Sequence, residues 1–323
     1  MPYVKIGLLV LAGLVLFLFA LNYLSEGLKA VSGEKMQDWL RKFTRNVVSG
    51  VLTGMVVTTL LDSSSAVIIM TIALVNSKAL TFRQAVGIVL GANIGTTFSS
   101  ELIAFDIGQW SGVPMAVGFG LMILARREAL AQWGQVILGF GMLFLGLFLM
   151  EEAVEPLKNL PAVVEWMKGL AEPWRGALTG AGVTVLLQSS SATVGMSVVL
   201  AGQGLLTLEA GIAVMMGAEL GTCADTLVAS VGRTKAAVRT GLFHLLFNLT
   251  SIVAGLLLIE PFTELVHGLS HSAPLGRQLA NAHVLFNVIG VLMVLPFAAS
   301  LAGLLERWIP DRASAEHQTV LSH

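Results

Sequence analysis

The chain has 323 residues, a formal net charge of −1 at pH 7, 55% hydrophobic residues and 12% charged residues. Soluble domains carry about 25% charged residues, so this composition marks an integral membrane protein, and the near-neutral balance gives nucleic acid nothing to bind. A single cysteine, Cys223, excludes an internal disulfide framework.

The first apolar run, residues 6–24, has no small-residue cleavage site at its end and continues into Ser25-Glu26-Gly27-Leu28. It is expected to be a retained span rather than a signal peptide. Uninterrupted runs such as this one and 136–150 predict helical spans, because barrel strands would alternate every second residue. A charged connector, 29–45, follows. The next apolar stretch is broken by Asp62-Ser63-Ser64-Ser65, and a second one by Gln188-Ser189-Ser190-Ser191. Three hydroxyls in a row suit neither a buried nor a lipid-facing helix, because their oxygens need partners. Each flanking arm is also shorter than the roughly 20 residues that cross a bilayer. Both stretches therefore predict re-entrant hairpins with polar tips.

Shifting the sequence by 126 residues superposes the two halves without a gap. Roughly 18 of 45 positions from 53 to 97 are then identical, including the serine triplets and the glycine–threonine segments. Those segments read Gly91-Ala92-Asn93-Ile94-Gly95-Thr96-Thr97 and Gly217-Ala218-Glu219-Leu220-Gly221-Thr222-Cys223. They predict helices interrupted in mid-membrane, although Gly-x-x-x-Gly equally suits a helix-packing face. The expected organisation is an all-α polytopic membrane protein built as an inverted repeat, with two re-entrant hairpins and about seven full spans. The first repeat is 1–130: a span, hairpin 46–78, broken span 81–105 and span 108–125. The second is 131–259: a span after which the glutamate-rich connector 151–175 follows, hairpin 176–206, broken span 207–231 and span 241–259. An additional span in 260–304 and a short tail, 305–323, complete it.

Lys29, Lys35, Arg41, Lys42 and Arg45 place the first connector in the cytoplasm, together with Arg126, Arg127, Arg233, Lys235, Arg239, Arg307 and Arg312. The N-terminus is then outside and the C-terminus inside, and the hairpins enter from opposite sides. A smaller echo, His244-Leu245-Leu246-Phe247-Asn248 and His283-Val284-Leu285-Phe286-Asn287, puts His and Asn on one helical face. Such pairs glue helices together by hydrogen bonds or take part in the site itself.

Two half-helix N-termini converging at the serines would hold a multiply charged anion without any arginine, since neither serine motif contains Arg or Lys. A hard cation such as sodium prefers hydroxyl, amide and carbonyl oxygens, and bound beside the anion it offsets part of its charge. Discontinuous helices at matching places in two halves are the best sequence pointer to a transporter's site. An intramembrane serine hydrolase is disfavoured, because Asp62 and Gln188 stand where a nucleophile turn needs glycine.

The doubled serine motif, the paired glycine segments and the two His-x-x-Phe-Asn spans resemble the type II sodium/phosphate cotransporters. The likeness runs over about residues 8–296. It is similar to bacterial members, and looks like one that stops short of the PhoU-like cytoplasmic domain many of them carry. The resemblance implies sodium-coupled uptake of inorganic phosphate across a bacterial inner membrane by alternating access. No resident cofactor is expected, sodium being co-transported, and a homodimer is left open. Candidate substrate ligands are Ser63, Ser64, Ser65, Gln188, Ser189, Ser190 and Ser191, with Asn93, Thr96, Thr97 and Thr222. Candidate sodium ligands are Asp62, Ser64, Gln188, Ser190, Asn93, Glu219, Thr96 and Thr222. Three residues depart from the family pattern: Asp62 replaces the usual glutamine, Glu219 the usual asparagine, and Asp225 follows shortly after. Intramembrane carboxylates are costly and functional by default. The alternatives are a sodium- or proton-coupled carrier of another small oxyanion, or a phosphate sensor that moves nothing.

Overall fold

The computed structural model describes residues 2–32, 35–105, 107–170 and 172–311, which form helices without strands. Helix α1 (Pro2–Ser32) is followed by the short α2 (Lys35–Phe43). Helices α3 (Val47–Leu61) and α4 (Ser64–Asn76) make the first hairpin, with α5 (Phe82–Ile103) beside it. After one 3-10 turn, Gly108–Trp110, comes α6 (Gly112–Leu124). Then follow α7 (Glu128–Val154) and α8 (Pro161–Gly169). The second hairpin is α9 (Pro173–Leu187) and α10 (Ser190–Gly202), with α11 (Leu208–Gly221) and α12 (Cys223–Ser230) beside it. The chain closes with α13 (Lys235–Leu257), α14 (Ile259–Ser270), α15 (Leu275–Val294) and α16 (Ala298–Trp308).

Local chemistry sets the helix starts. Asn46 and Ser49 form a capping box at α3, and Thr81 and Gln84 form another at α5. Thr207 and Thr234 cap α11 and α13. Packing is then decided by small residues, because between helices in lipid close backbone approach replaces the hydrophobic drive. A Cβ at Gly91 would overlap the carbonyl oxygen of Val51, and one at Gly217 that of Ala177. So α3 lies on α5, and α9 on α11, through matching glycines of the two halves. The Gly-x-x-x-Gly segments are packing faces here.

Six described stretches are long and apolar enough to cross a membrane: Val4–Val31, Phe82–Ile103, Glu128–Lys158, Leu208–Ser230, Lys235–Leu257 and Leu275–Trp308. The seventh expected span, 108–125, holds an α-helix of only 13 residues and falls short of that length. The expected break in 81–105 is also absent, since α5 runs unbroken for 22 residues. Its hydroxyls bond back to their own helix, Thr96 to the Ala92 carbonyl (2.9 Å) and Thr97 to that of Ile94 (2.8 Å), and leave the ladder intact. In the second copy the ladder does break, at Thr222. There the Glu219 carbonyl accepts from the Thr222 hydroxyl (2.7 Å) and the Asn248 amide of α13 (2.9 Å). The region 260–304 differs as well: α14 is a separate 12-residue helix, and the span is α15 with α16, joined by a 3-10 turn at Pro296. Helix therefore continues to Trp308 inside the expected tail, while residues 312–323, including Arg312, lie outside the described residues.

The two hairpins are rooted at opposite ends of α5. The base of the first, through Val75, Lys78 and Leu80, lines a cavity with Phe82 at the start of α5 and with Arg233 and Lys235. The base of the second, Gly202 and Gln203, lines another cavity with Ile103 at the end of α5, Pro274 and Arg277. Near that end Arg277 pairs with Glu101 at 2.7 Å and sits over the Phe105 ring.

Candidate functional site at the hairpin tips

Both tips have the same backbone. Asp62 ends α3 in the left-handed region (φ 52°, ψ 33°), and Gln188 ends α9 there too (φ 54°, ψ 30°). Non-glycine residues seldom adopt this conformation, and its cost is tolerated where the surroundings over-determine it. The next residue is in each case an extended serine N-cap. Ser63 accepts from the Ala66 N–H and Ser189 from the Ala192 N–H, both at 3.2 Å. Ser63 and Ser189 thus begin α4 and α10, and the first-turn residues Ser64, Ser65, Ser190 and Ser191 follow them. A helix leaves its first N–H groups without partners inside the helix, so each tip offers backbone donors next to hydroxyls.

The first tip is the more enclosed. The Ser99 hydroxyl of α5 donates to the Asp62 carboxylate, the Ser25 hydroxyl of α1 donates to the Leu61 carbonyl (3.0 Å), and the Ser65 hydroxyl donates to Asp225 of α12 (3.4 Å). Two carboxylates therefore flank one serine triplet, one from each half of the chain. Thr58, one turn before Asp62, is fully buried, and its hydroxyl has no partner among the described residues. At the second tip the Gln188 side chain is exposed, Ser190 and Ser191 are buried, and the Thr184 hydroxyl bonds that of Thr193 across the hairpin (2.7 Å). Among the described residues no hydrogen bond joins one serine triplet to the other; at the first tip, Ser65 and Asp225 make a polar contact between the halves.

The remaining candidates are buried and engaged. The Asn93 amide donates to the Val89 carbonyl (2.9 Å), and Thr96 and Thr97 are turned onto their own helix. Glu219 is 3% exposed and its carboxylate meets His283 Nε2 at 2.7 Å. A carboxylate only accepts, so Nε2 carries the hydrogen; on the other side of the ring the Ser100 hydroxyl meets Nδ1 at 2.5 Å. His283 on α15 thereby bridges α11 and α5. His244 meets Thr226 through Nδ1 (2.9 Å) and the Asn248 amide through Nε2 (3.2 Å), holding the broken α11–α12 segment. Ser25, Thr58, Ser99, Ser100 and Thr226 were missed in the sequence. For Ser99 and Ser100 a signal existed: the 126-residue shift puts them on Asp225 and Thr226.

A family model described as Na+/Pi-cotransporter matches residues 16–152 and 160–294, and each segment holds one serine triplet. The uncharacterized protein YqeW of Bacillus subtilis is 30% identical over 304 residues, 93% of this chain and 97% of YqeW. The putative inorganic phosphate export protein YjbB of Escherichia coli is 27% identical over 317 residues, 97% of this chain but only 58% of YjbB. The chain thus spans little more than half of that relative. Human sodium-dependent phosphate transport protein 2B is 32% identical over 99 residues, 30% of this chain and 14% of its own length. No solved structure matches the chain. With both halves matched and the doubled tip in place, this multi-pass membrane protein belongs to the Na+/Pi-cotransporter family of transporters.

Proposed function

We propose that the chain is a secondary active transporter that couples inorganic phosphate to sodium, by alternating access at a site formed by the two hairpin tips. The observation that carries this reading is the repeated left-handed cap followed by a serine N-cap, at Asp62-Ser63 and Gln188-Ser189. It starts α4 and α10 at the tips, where backbone N–H groups and serine hydroxyls suit a tetrahedral oxyanion. Asp62 and Asp225 would repel a bare divalent anion, so a cation bound among Asp62, Ser65, Ser99 and Asp225 makes the site fit for phosphate. That requirement is a physical origin for coupling. Hairpin bases at opposite ends of α5 support an inverted repeat, with the base of the first hairpin and its Lys and Arg in the cytoplasm, the N-terminus outside and the C-terminus inside.

The relatives' names support phosphate as the cargo, and the human protein's name supports sodium. YjbB's name favours a second reading of direction, export rather than uptake. Purified protein in proteoliposomes tests both. Labelled phosphate should accumulate under an inward sodium gradient and not under an equal potassium gradient. Phosphate flux that ignores sodium would refute the coupling, and flux only out of loaded vesicles would establish export.

A further inference from the structure

Far from the tips, at the base of the first hairpin, lies a cavity of about 960 Å³ between the α4–α5 turn, the start of α13 and the end of α16. Five cations line it, Lys78, Arg83, Arg233, Lys235 and Arg239, against two carboxylates, Glu306 and Asp311. The capped starts of α5 and α13, at Thr81 and Thr234, open onto the same space, adding the positive ends of two long helices. Lys78 is held there by a left-handed backbone (φ 63°) that a lysine seldom adopts.

A membrane protein's basic rim is ordinarily a scatter of exposed charges. Here one guanidinium is built in: the Arg239 side chain is 5% exposed and stacks over the Phe82 ring. Its Nη2 donates to both oxygens of Asp311 (2.9 and 3.0 Å), its Nη1 donates to the Ile309 carbonyl (3.2 Å), and its Nε has no partner among the described residues. Arg83 grips Glu306 in a true fork, Nε to one oxygen (3.2 Å) and Nη2 to the other (2.8 Å). Forked guanidinium contacts suit carboxylate and phosphate alike. Two carboxylates at the end of α16 thus already hold the places of oxyanions. Lys78, Arg233 and Lys235 have no carboxylate partner among the described residues.

We propose that this cavity is an anion site, distinct from the hairpin tips, that takes a phosphate-bearing ligand. Arg83 supplies a fork and Arg239 a buried guanidinium with its Nε unused, and Lys78, Arg233 and Lys235 neutralise the charge. The ligand's phosphate group is either free or part of a lipid headgroup. The Thr234 N–H donates to Asn76 Oδ1 (2.9 Å) at the last residue of α4, so an occupant bears on the arm of the first hairpin. The site does not depend on what the tips transport.

Amine-reactive labelling read by mass spectrometry tests it, with the full chain in nanodiscs. In neutral phosphatidylcholine discs, millimolar pyrophosphate against matched sodium chloride should cut labelling of Lys78 and Lys235 by about fivefold at a concentration four times its Kd. Lys42 on α2 and Lys168 on α8 should not change. In a second arm, discs containing phosphatidylglycerol without pyrophosphate ask whether a lipid headgroup does the same. Protection in either arm supports the site and identifies the source. Arg233→Gln, an exposed change, should then weaken protection at both lysines. No protection in either arm, or equal protection at Lys42 and Lys168 through diffuse screening, overturns the proposal.

Discussion

Ser100 and Thr226 hold the same place in the two repeats, and each meets the Nδ1 of a histidine, His283 at 2.5 Å and His244 at 2.9 Å. The other ring nitrogens differ: that of His283 faces the Glu219 carboxylate, that of His244 the Asn248 amide. One histidine is therefore a strut between α11 and α5 that ends on a carboxylate, and the other a clip on a broken helix that ends on an amide.

Cutting the strut should be costly. His283→Ala leaves the Glu219 carboxylate buried without its partner, a loss of about 3–5 kcal/mol. Glu219→Gln keeps an acceptor for Nε2–H and should cost about 1 kcal/mol. The double variant should be more stable than His283→Ala alone. Thermal unfolding in detergent measures all three; a double variant as weak as His283→Ala would show that the stranded charge is not the cause.

Backbone contact between α9 and α11 gives a second expectation. Gly217→Ala drives a methyl into the Ala177 carbonyl, a backbone group that cannot swing aside, so destabilisation should reach at least the 1–3 kcal/mol of ordinary overpacking. Gly182→Ala meets nothing within 4 Å among the described residues and should be neutral or mildly stabilising. Size-exclusion melting curves of the pair would decide; equal curves would mean that the helices part easily.

The hairpins were legible because three serines cannot continue a buried helix, whatever surrounds them, and because the pattern recurs 126 residues on. The first glycine segment misled for the opposite reason. Gly91 and Gly95 look like a break, yet their role depends on α3, 40 residues away in sequence, pressing against them. Thr96 could bond a ligand or its own helix, and only the packed backbone selects the second. His283 finds its partners on α11 and α5, neither of which neighbours it in sequence, so no spacing rule could pair it with Glu219 and Ser100.

Gln188 offers a test of tip strain. Its left-handed backbone favours glycine, so Gln188→Gly should raise stability by up to about 1 kcal/mol, whereas Gln188→Ala keeps the strain and should not. If Gly lowers the melting temperature, the side chain contributes more than the backbone costs.

Asp62→Asn retains an oxygen acceptor for Ser99 and removes one charge from the tip. Folding should be little affected, while the dependence of phosphate flux on sodium should shift to higher concentration. Superimposable flux-versus-sodium curves for the two proteins would remove Asp62 from the cation site.

Phosphate accumulation in proteoliposomes under a sodium gradient, compared among wild type, Ser65→Ala and Ser191→Ala, bears most directly on whether both tips build one site. Each substitution removes a single hydroxyl from the first turn of α4 or α10, and each should lower uptake at least about tenfold, the loss expected when one charge-assisted hydrogen bond of about 1.5–3 kcal/mol disappears. Full uptake by either variant, while the other is inactive, would mean that phosphate is carried by one hairpin alone.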